Sequence, residues 1–429
     1  MLFRKLSLRC AAAALSLAAM SVPVVAQDHG SAVQPSTGYD PANPPTRNAP
    51  QSPVGIGAEG RRPIMSLLDS AGLAKPLDAA RIDIYGYVEG GYTYNTDAPR
   101  SNQNPFRLFD FEHDKPLLDQ LDLTIERRAN YRGAKSWDFG FLVQGIYGAD
   151  AGLIHSNGLL DYYDSPRKPE NQLDLTQAYL DIIVPVGTGL RVRVGKFVNL
   201  VGYETIDPTV GGVIDFYSRS FVFGSGYPFT HTGVLGTYDL TRDVTVTAGV
   251  TRGDDQSVRD NNGAVSFLGS VNWVINDKLA LYVSNSTGPE QPKDNSHYRS
   301  TSDATLYYTA SDRLDLALTG YFLYDAAGSV TGGSGKLYDI AALGAYRINE
   351  YLTAKARAEW MHDHDGLRLP PGTDLYGVTL GLTVTPLPHC KLGSNLKLRP
   401  EVRCDFSGDN VFNNKDHQVT VGIDAVMRL

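Results

Sequence analysis

After residue 26 the sequence holds no apolar run approaching the roughly 20 residues that a membrane-spanning helix needs. That excludes a helical membrane protein. It does not exclude spanning strands, which need only about 9–11 residues of alternating hydrophobicity. Positive charge is in deficit, with 39 Lys and Arg against 47 Asp and Glu. A binder of nucleic acid that ignores sequence would show the opposite balance. Catalytic signatures are missing as well. There is no Gly-x-Ser-x-Gly elbow, no P-loop and no zinc-protease helix motif, and nothing calls for a cofactor. Paired carboxylates for glycoside chemistry could be drawn from any of the 47 acids, so without geometry they carry no signal. Cysteine is scarce: of 3, Cys10 opens the first apolar stretch and does not sit where a lipoprotein cysteine would.

What is present begins with an export signal. Arg4, Lys5 and Arg9 precede an apolar stretch from Cys10 to Val25, and Val24-Val25-Ala26 supplies the small residues of a cleavage site. Ser16, Ser21 and Pro23 interrupt the second half of the stretch, which is short for an anchor. Residues 1–26 therefore read as a signal peptide cleaved after Ala26. Cleavage removes three positive charges and no negative one, so the formal charge moves from −8 to −11. Residues 27–62 combine repeated Pro with Ser, Asn, Gly and Gln. They bury too little apolar surface to offset ordering, and read as a disordered periplasmic linker. Residues 63–80 read as a short helical segment at a barrel mouth, with a transient turn as the alternative: Pro63 opens it, Gly72 lies near its end, and Ile64, Leu67 and Leu68 share a face.

From Arg81 to Leu429 the hydrophobic period becomes two, the strand signal. In the first strand Ile82, Ile84, Gly86, Val88, Gly90, Tyr92 and Tyr94 alternate with Asp83, Tyr85, Tyr87, Glu89, Gly91 and Thr93. In the last, Val419, Val421, Ile423, Ala425, Met427 and Leu429 alternate with polar partners. Between them strands are expected near 118–128, 136–147, 172–184, 189–197, 229–240, 243–252, 264–275, 278–287, 299–309, 313–324, 337–347, 350–361, 373–385 and 395–405. The total is about 16, with 14 to 18 compatible with boundaries uncertain by roughly 2–4 residues. Short connections such as Thr241-Arg242, Asn276-Asp277 and Ile348-Asn349 alternate with long polar ones, which is the barrel pattern. The connection 386–394 is the one long turn among the short ones. The expected fold is thus all-β: a transmembrane antiparallel barrel, wide enough at this strand count to leave an aqueous channel.

Three strands carry charge on one face only. Arg191 and Arg193 alternate with Leu190, Val192 and Val194. Lys355, Arg357 and Glu359 alternate with Ala354, Ala356, Ala358 and Trp360. Lys397, Arg399, Glu401 and Arg403 alternate with Leu396, Leu398, Pro400 and Val402. Charges in a row are costly against lipid and natural toward water, so these nine residues are the candidate pore lining. The longest inter-strand connection, 198–228, holds Tyr203, Glu204, Asp207, Asp215, Arg219 and several further aromatics. A stretch this aromatic is expected to fold inward and narrow the channel, its carboxylates opposed to the basic wall. The competing expectation is an external loop packed on its neighbours.

In this setting the chain resembles the outer-membrane β-barrel porin family called OmpL-like, over roughly residues 80–429. The resemblance rests on Ile84-Tyr85-Gly86-Tyr87-Val88-Glu89-Gly90-Gly91-Tyr92, on Gly195-Lys196-Phe197 followed by Gly202-Tyr203-Glu204, on Tyr217-Ser218 and His231-Thr232-Gly233, and on Arg399-Pro400-Glu401-Val402-Arg403 before Asp405. It implies a porin-type barrel without catalytic residues and names no solute. Such barrels usually end in Phe or Trp, whereas this sequence ends in Leu429.

His362-Asp363-His364-Asp365-Gly366 offers metal-binding side chains but no further ligands, and Asp-Gly marks a turn, so no metal site is assigned. Asp254-Asp255 and Asp260-Asn261-Asn262-Gly263 read as solvated turns. Cys390 and Cys404 fall toward opposite ends of the strand near 395–405, too far apart to bridge unless that strand lies elsewhere, so their pairing stays open. The resulting expectation is a passive channel in a bacterial outer membrane, contacting lipid, the barrel assembly machinery, and small hydrophilic solutes and ions, with no nucleic-acid partner. Analogy with general porins suggests a homotrimer. A sealed structural or adhesive barrel and, further off, a barrel enzyme are the alternatives. N-terminal sequencing of protein extracted from outer membranes is expected to begin at Gln27; a start at Met1 would reject the signal peptide.

Overall fold

The computed structural model describes residues 61–161, 169–210, 215–330 and 332–429. The signal peptide and all but the last two residues of the linker lie outside these.

Two short helices precede the sheet, α1 (Pro63–Ser70) and α2 (Ala74–Ala80). Pro63 stands in the first turn of α1, where a missing N–H costs nothing. Gly72, at φ +74°, follows its end in the left-handed conformation that glycine adopts without strain. The helical pattern of the sequence is therefore two helices with a glycine break. Met65 is buried, and its sulfur accepts the Ile84 N–H at 3.4 Å. The Arg62 guanidinium lies 3.5 Å over the Tyr85 ring. These contacts hold α1 against the start of the first strand.

Sixteen antiparallel strands come next: β1 (Ile82–Asn95), β2 (Lys115–Arg127), β3 (Asp138–Gly148), β4 (Gln172–Val184), β5 (Leu190–Val198), β6 (Thr230–Asp239), β7 (Val244–Thr251), β8 (Ser266–Asn276), β9 (Leu279–Pro289), β10 (Tyr298–Ser311), β11 (Leu314–Asp325), β12 (Gly335–Arg347), β13 (Leu352–Asp363), β14 (Thr373–Val384), β15 (Leu396–Ser407) and β16 (His417–Arg428). Each pairs with its sequence neighbours, and β1 pairs with β16 from Tyr87↔Arg428 to Asn95↔Thr420. The sheet is closed. The expected number of strands is found, with ends within a few residues of those read from the pattern.

Burial keeps the period of two. In β12, Leu337, Asp339, Ala341, Leu343 and Ala345 are buried, while Ile340, Ala342 and Tyr346 are exposed. Inward residues of this set include an aspartate, whereas the outward ones are apolar or aromatic. Leu316, Leu318, Val283, Leu380, Val421 and Ile423 likewise stand on the outer face. Exposed apolar residues of this number would be a liability in water and are suited to hydrocarbon. The main apolar core lies inside the barrel: Phe221, Val222, Phe223 and Leu200 from the long connection pack with Leu142, Ile146, Leu268, Leu323, Leu337, Met361 and Leu375 from the strands.

A bulge in β2 breaks the alternation and turns an extra acid inward. Glu89 pairs with Gln120 and Gly90 with Leu118, which leaves Asp119 as the extra residue of β2. As a result both Asp119 and Gln120 are fully buried inside the barrel. Cys390 sits in the turn before β15 and Cys404 within it, and the two are not bridged to each other. The assignment of faces makes a prediction. Leu318→Arg, on the outer face near the middle of β11, is expected to destabilise the barrel by about 2–4 kcal/mol in urea titrations from lipid vesicles. A cost below half of that would argue against lipid at Leu318.

Candidate functional site in the barrel lumen

The lumen is organised by two charged strands flanking a smooth one. The register aligns their inward residues in rows: Lys355, Gly381, Glu401, Gly422; then Arg357, Thr379, Arg403, Thr420; then Glu359, Gly377, Asp405, Gln418. On the inward face β14 contributes only Gly377, Thr379 and Gly381 to these rows, so long side chains from β13 and β15 can spread over it.

Residues 199–210 and 215–229, between β5 and β6, lie against this wall. Most anchors reach their backbone. Glu401 accepts the N–H groups of Tyr217 and Ser218, both at 3.1 Å. Glu359 accepts the Phe221 N–H at 2.9 Å. Arg357 donates to Ser218 C=O at 2.9 Å, and Arg403 donates to Arg219 C=O. Lys355 donates to Asp215 C=O. Other strands also take part. Tyr282 on β9 donates to Leu200 C=O at 2.7 Å, and Tyr321 on β11 to Gly226 C=O at 2.6 Å. Gln120 on β2 donates to Ile206 C=O at 3.2 Å, and Arg428 on β16 to Thr209 C=O.

Side chains complete the fit. Phe216 approaches Gly381, and Tyr217 approaches both Gly91 and Gly422. A Cβ on Gly91 would come 2.2 Å from the Tyr217 hydroxyl, so only glycine leaves room there. Lys355 and Arg357 lie 4.9 and 5.1 Å from the Phe216 ring centre, and Arg403 lies 4.6 Å from that of Phe221. Cations on aromatic faces add attraction that strengthens where water is excluded. The segment also ties itself together. Glu204 accepts the Ser220 N–H and hydroxyl and pairs with Arg357 at 3.2 Å. Ser220 in turn caps the one-turn helix α3 (Phe221–Ser225) by accepting the Phe223 N–H.

The sequence-derived residues thus divide. Lys355, Arg357, Glu359, Lys397, Arg399, Glu401 and Arg403 all face inward and all bond the segment or its side chains. Arg357, Arg399 and Arg403 are among the most deeply buried large side chains of the protein. Arg399 binds Glu89 at 2.7 Å and also pairs with Asp424 and Asp215. Lys397 is the least enclosed of the seven and stands 3.6 Å from Asp215. Arg191 and Arg193 are elsewhere: Arg193 forms a two-point pair with Asp181, each bond 2.8 Å, and Arg191 bonds Thr237. In the segment, Tyr203 packs beside Phe216, Ala317, Ala341 and Leu343. Arg219 donates to Phe216 C=O and lies over the rings of Phe109 and Phe223. Asp207 accepts the Thr209 N–H at 2.6 Å and lines a cavity. Tyr85, Tyr87, Thr124, Gln144 and Gln177 line the same cavity, between the segment and β1–β4. Burial holds the carboxyls of Glu204 and Asp207 above their ordinary pKa, although Arg357 opposes this at Glu204.

Sequence reasoning missed the glycine trough of Gly91, Gly381 and Gly422, whose signal is only the absence of a side chain. It also missed the connection after β1, where Arg107 pairs with Asp405 at 2.7 Å and Asp110 at 2.5 Å and Phe109 packs edge-on against Phe223. At the His362–Gly366 run, the Asp363 carboxylate accepts four backbone N–H groups, from Gly366, Leu367, Arg368 and Leu369. It therefore shapes the strand-to-loop corner. Among the described residues no group of three or more His, Cys, Asp or Glu is placed to hold a metal ion.

The family described as beta-barrel porin-2, OmpL-like, matches residues 81–429. No curated protein sequence matches the chain. Among solved structures, OprB of Pseudomonas putida aligns with a TM-score of 0.56 at 13% identity, over 84% of this chain and 97% of that one. An anion-selective porin from Comamonas acidovorans aligns at 0.54 and 11%, over 81% and 99%. The trimer form of OmpT, an outer membrane protein of Vibrio cholerae, aligns at 0.51 and 12%, over 81% and 99%. At such identities the structural matches establish the shared barrel.

The glycine trough is testable. Gly91→Ala is expected to push Tyr217 from its seat, at a cost of about 1–3 kcal/mol of overpacking. Limited trypsin treatment of the folded variant should then cut near Arg219 faster than in the parent protein. Equal cleavage rates would mean that the trough does not hold the segment.

Proposed function

The chain belongs to the beta-barrel porin-2, OmpL-like family and is an outer-membrane diffusion channel, and we propose that residues 199–210 and 215–229 set its narrowest cross-section. The observation that carries this reading is the set of main-chain anchors from β13 and β15 on one side and β2, β9 and β11 on the other. A segment held from several walls cannot lie flat against one, so water and solute must pass beside it. The cavity lined by Tyr85, Thr124, Gln144 and Asp207 is the passage we assign. Membership of the family supports a channel rather than an enzyme.

The charge filter implied by the sequence takes a different form here. The basic wall of β13 and β15 does not face the carboxylates of the segment across water; it is bonded to the segment directly. Selection by size then falls to the segment's position, and selection by charge to whatever acids and bases remain unbonded. Export with cleavage after Ala26, insertion by the barrel assembly machinery and association as a homotrimer complete the proposal; the trimer form of the Vibrio cholerae neighbour supports the last.

The same anchors also favour a second reading, a barrel whose lumen the segment seals. One experiment separates the two: planar-bilayer recording of the mature protein and of a variant lacking ten residues around Asp215. Small steps in the parent and steps severalfold larger in the variant are expected. A silent parent with a conducting variant would establish the sealed barrel, and equal conductance in both would reject the narrowing role.

A further inference from the structure

We infer that the passage beside the docked segment takes small uncharged solutes bearing hydroxyl or amide groups in preference to ions, because its lining is almost neutral whereas the wall of β13 and β15 is charged. Among the described residues no Lys or Arg lines the cavity between the segment and β1–β4, and its single acid is Asp207. Its other polar groups are hydroxyls and amides, among them Tyr85, Tyr87, Thr124, Gln144, Gln177 and Thr205.

These groups are held in place by bonds to their surroundings. Tyr85 donates to Glu126 at 2.8 Å and Tyr87 to Gln120 at 2.6 Å. Thr124 donates to Asp122 at 3.0 Å and Gln144 to the same carboxylate at 2.8 Å. Asp122 is itself buried and stands outside the lining. Gln177 donates to Gln144 at 2.7 Å and accepts the Val198 N–H at 3.3 Å. Thr205 donates to Asp207 C=O at 2.9 Å. A hydroxyl that donates keeps lone pairs with which to accept, and each of the two amides has spent one of its two hydrogens. The wall therefore offers fixed acceptors and donors side by side.

Asp207 adds little charge to this surface. Burial holds its carboxyl above the ordinary pKa, against the Thr209 N–H and the positive charge of Arg428. Protonated, the group is neutral; ionised, it has a cation to answer it.

An ion entering such a passage sheds part of its hydration and finds no opposite charge in exchange. A solute with hydroxyl or amide groups exchanges bonds to water for bonds to the wall, at little net cost. Its C–H faces meet Leu142, Ile146, Ile206 and Val210, which supply the apolar part of the lining. Since a neutral wall has no sign, potassium and chloride are slowed alike.

The neutral preference rests on the channel reading and names the solute class of that passage. Proteoliposomes carrying the full mature protein are diluted into isotonic erythritol or isotonic potassium lactate, and the reversal potential is read in a potassium chloride gradient. Erythritol is expected to enter at least about threefold faster than potassium lactate, and the potassium and chloride permeabilities to agree within about threefold. A smaller advantage for erythritol overturns the neutral preference alone, and so does a larger bias toward either ion. Thr205→Glu and Thr205→Lys place a charge in the lining from the segment side and are expected to move the reversal potential in opposite directions. Folded, heat-modifiable variants that both keep the parent potential would mean that ions pass elsewhere, and the neutral preference falls with the passage. A parent that neither swells in erythritol nor shows conductance steps overturns the channel reading itself.

Discussion

Backbone N–H and C=O groups cannot be left unpaired in hydrocarbon, and the pairing of β1 with β16 supplies the partners that no other strand could. Everything else depends on that closure. It fixes which residues of each strand face inward, because a slip by one residue would turn every side chain to the other face. It also brings Gly91 of β1 beside Asp424 of β16, although more than three hundred residues separate them in the chain. The trough for Tyr217 exists only because the two ends of the sheet meet.

Inside that frame the lumen is bound together by charge. Buried guanidinium groups are tolerated when their bonds are filled, and removing one partner of such a pair is far more costly than exchanging both for apolar groups. Arg399 answers to three carboxylates and Arg357 to two, together with carbonyl oxygens of the docked segment. The lattice is cooperative in the sense that no single arginine can be released without stranding acids on two different elements.

Much of this was legible in the sequence, and the reason is periodicity. Alternation of side chains is a local property, so strands, turns and inward faces could be read one at a time; Arg399, Glu401 and Arg403 were placed on the correct face by parity alone. What they touch was not legible, because contact depends on register between strands far apart in the chain. The row Lys355, Gly381, Glu401, Gly422 joins four strands through pairings that no window of sequence contains. The bulge that turns Asp119 inward has no pattern of its own, since it appears as one break in an otherwise regular alternation. Aromatic content did signal that residues 198–228 avoid water, but the particular anchors, Tyr282 and Tyr321 among them, read as ordinary strand tyrosines.

Most of those anchors grip peptide groups instead of side chains: Glu401 holds two N–H groups, Glu359 another, and Arg357, Arg403, Lys355, Tyr282 and Tyr321 hold carbonyls. Peptide groups are the same whatever residue carries them. The barrel therefore clamps the course of the segment and its buried aromatics, while the half-buried Thr205, Asp207 and Val210 at the cavity are free to vary. Mutation can rewrite the chemistry presented to a passing molecule without rebuilding the support, which makes this scaffold a ready substrate for evolutionary or engineered changes of permeability.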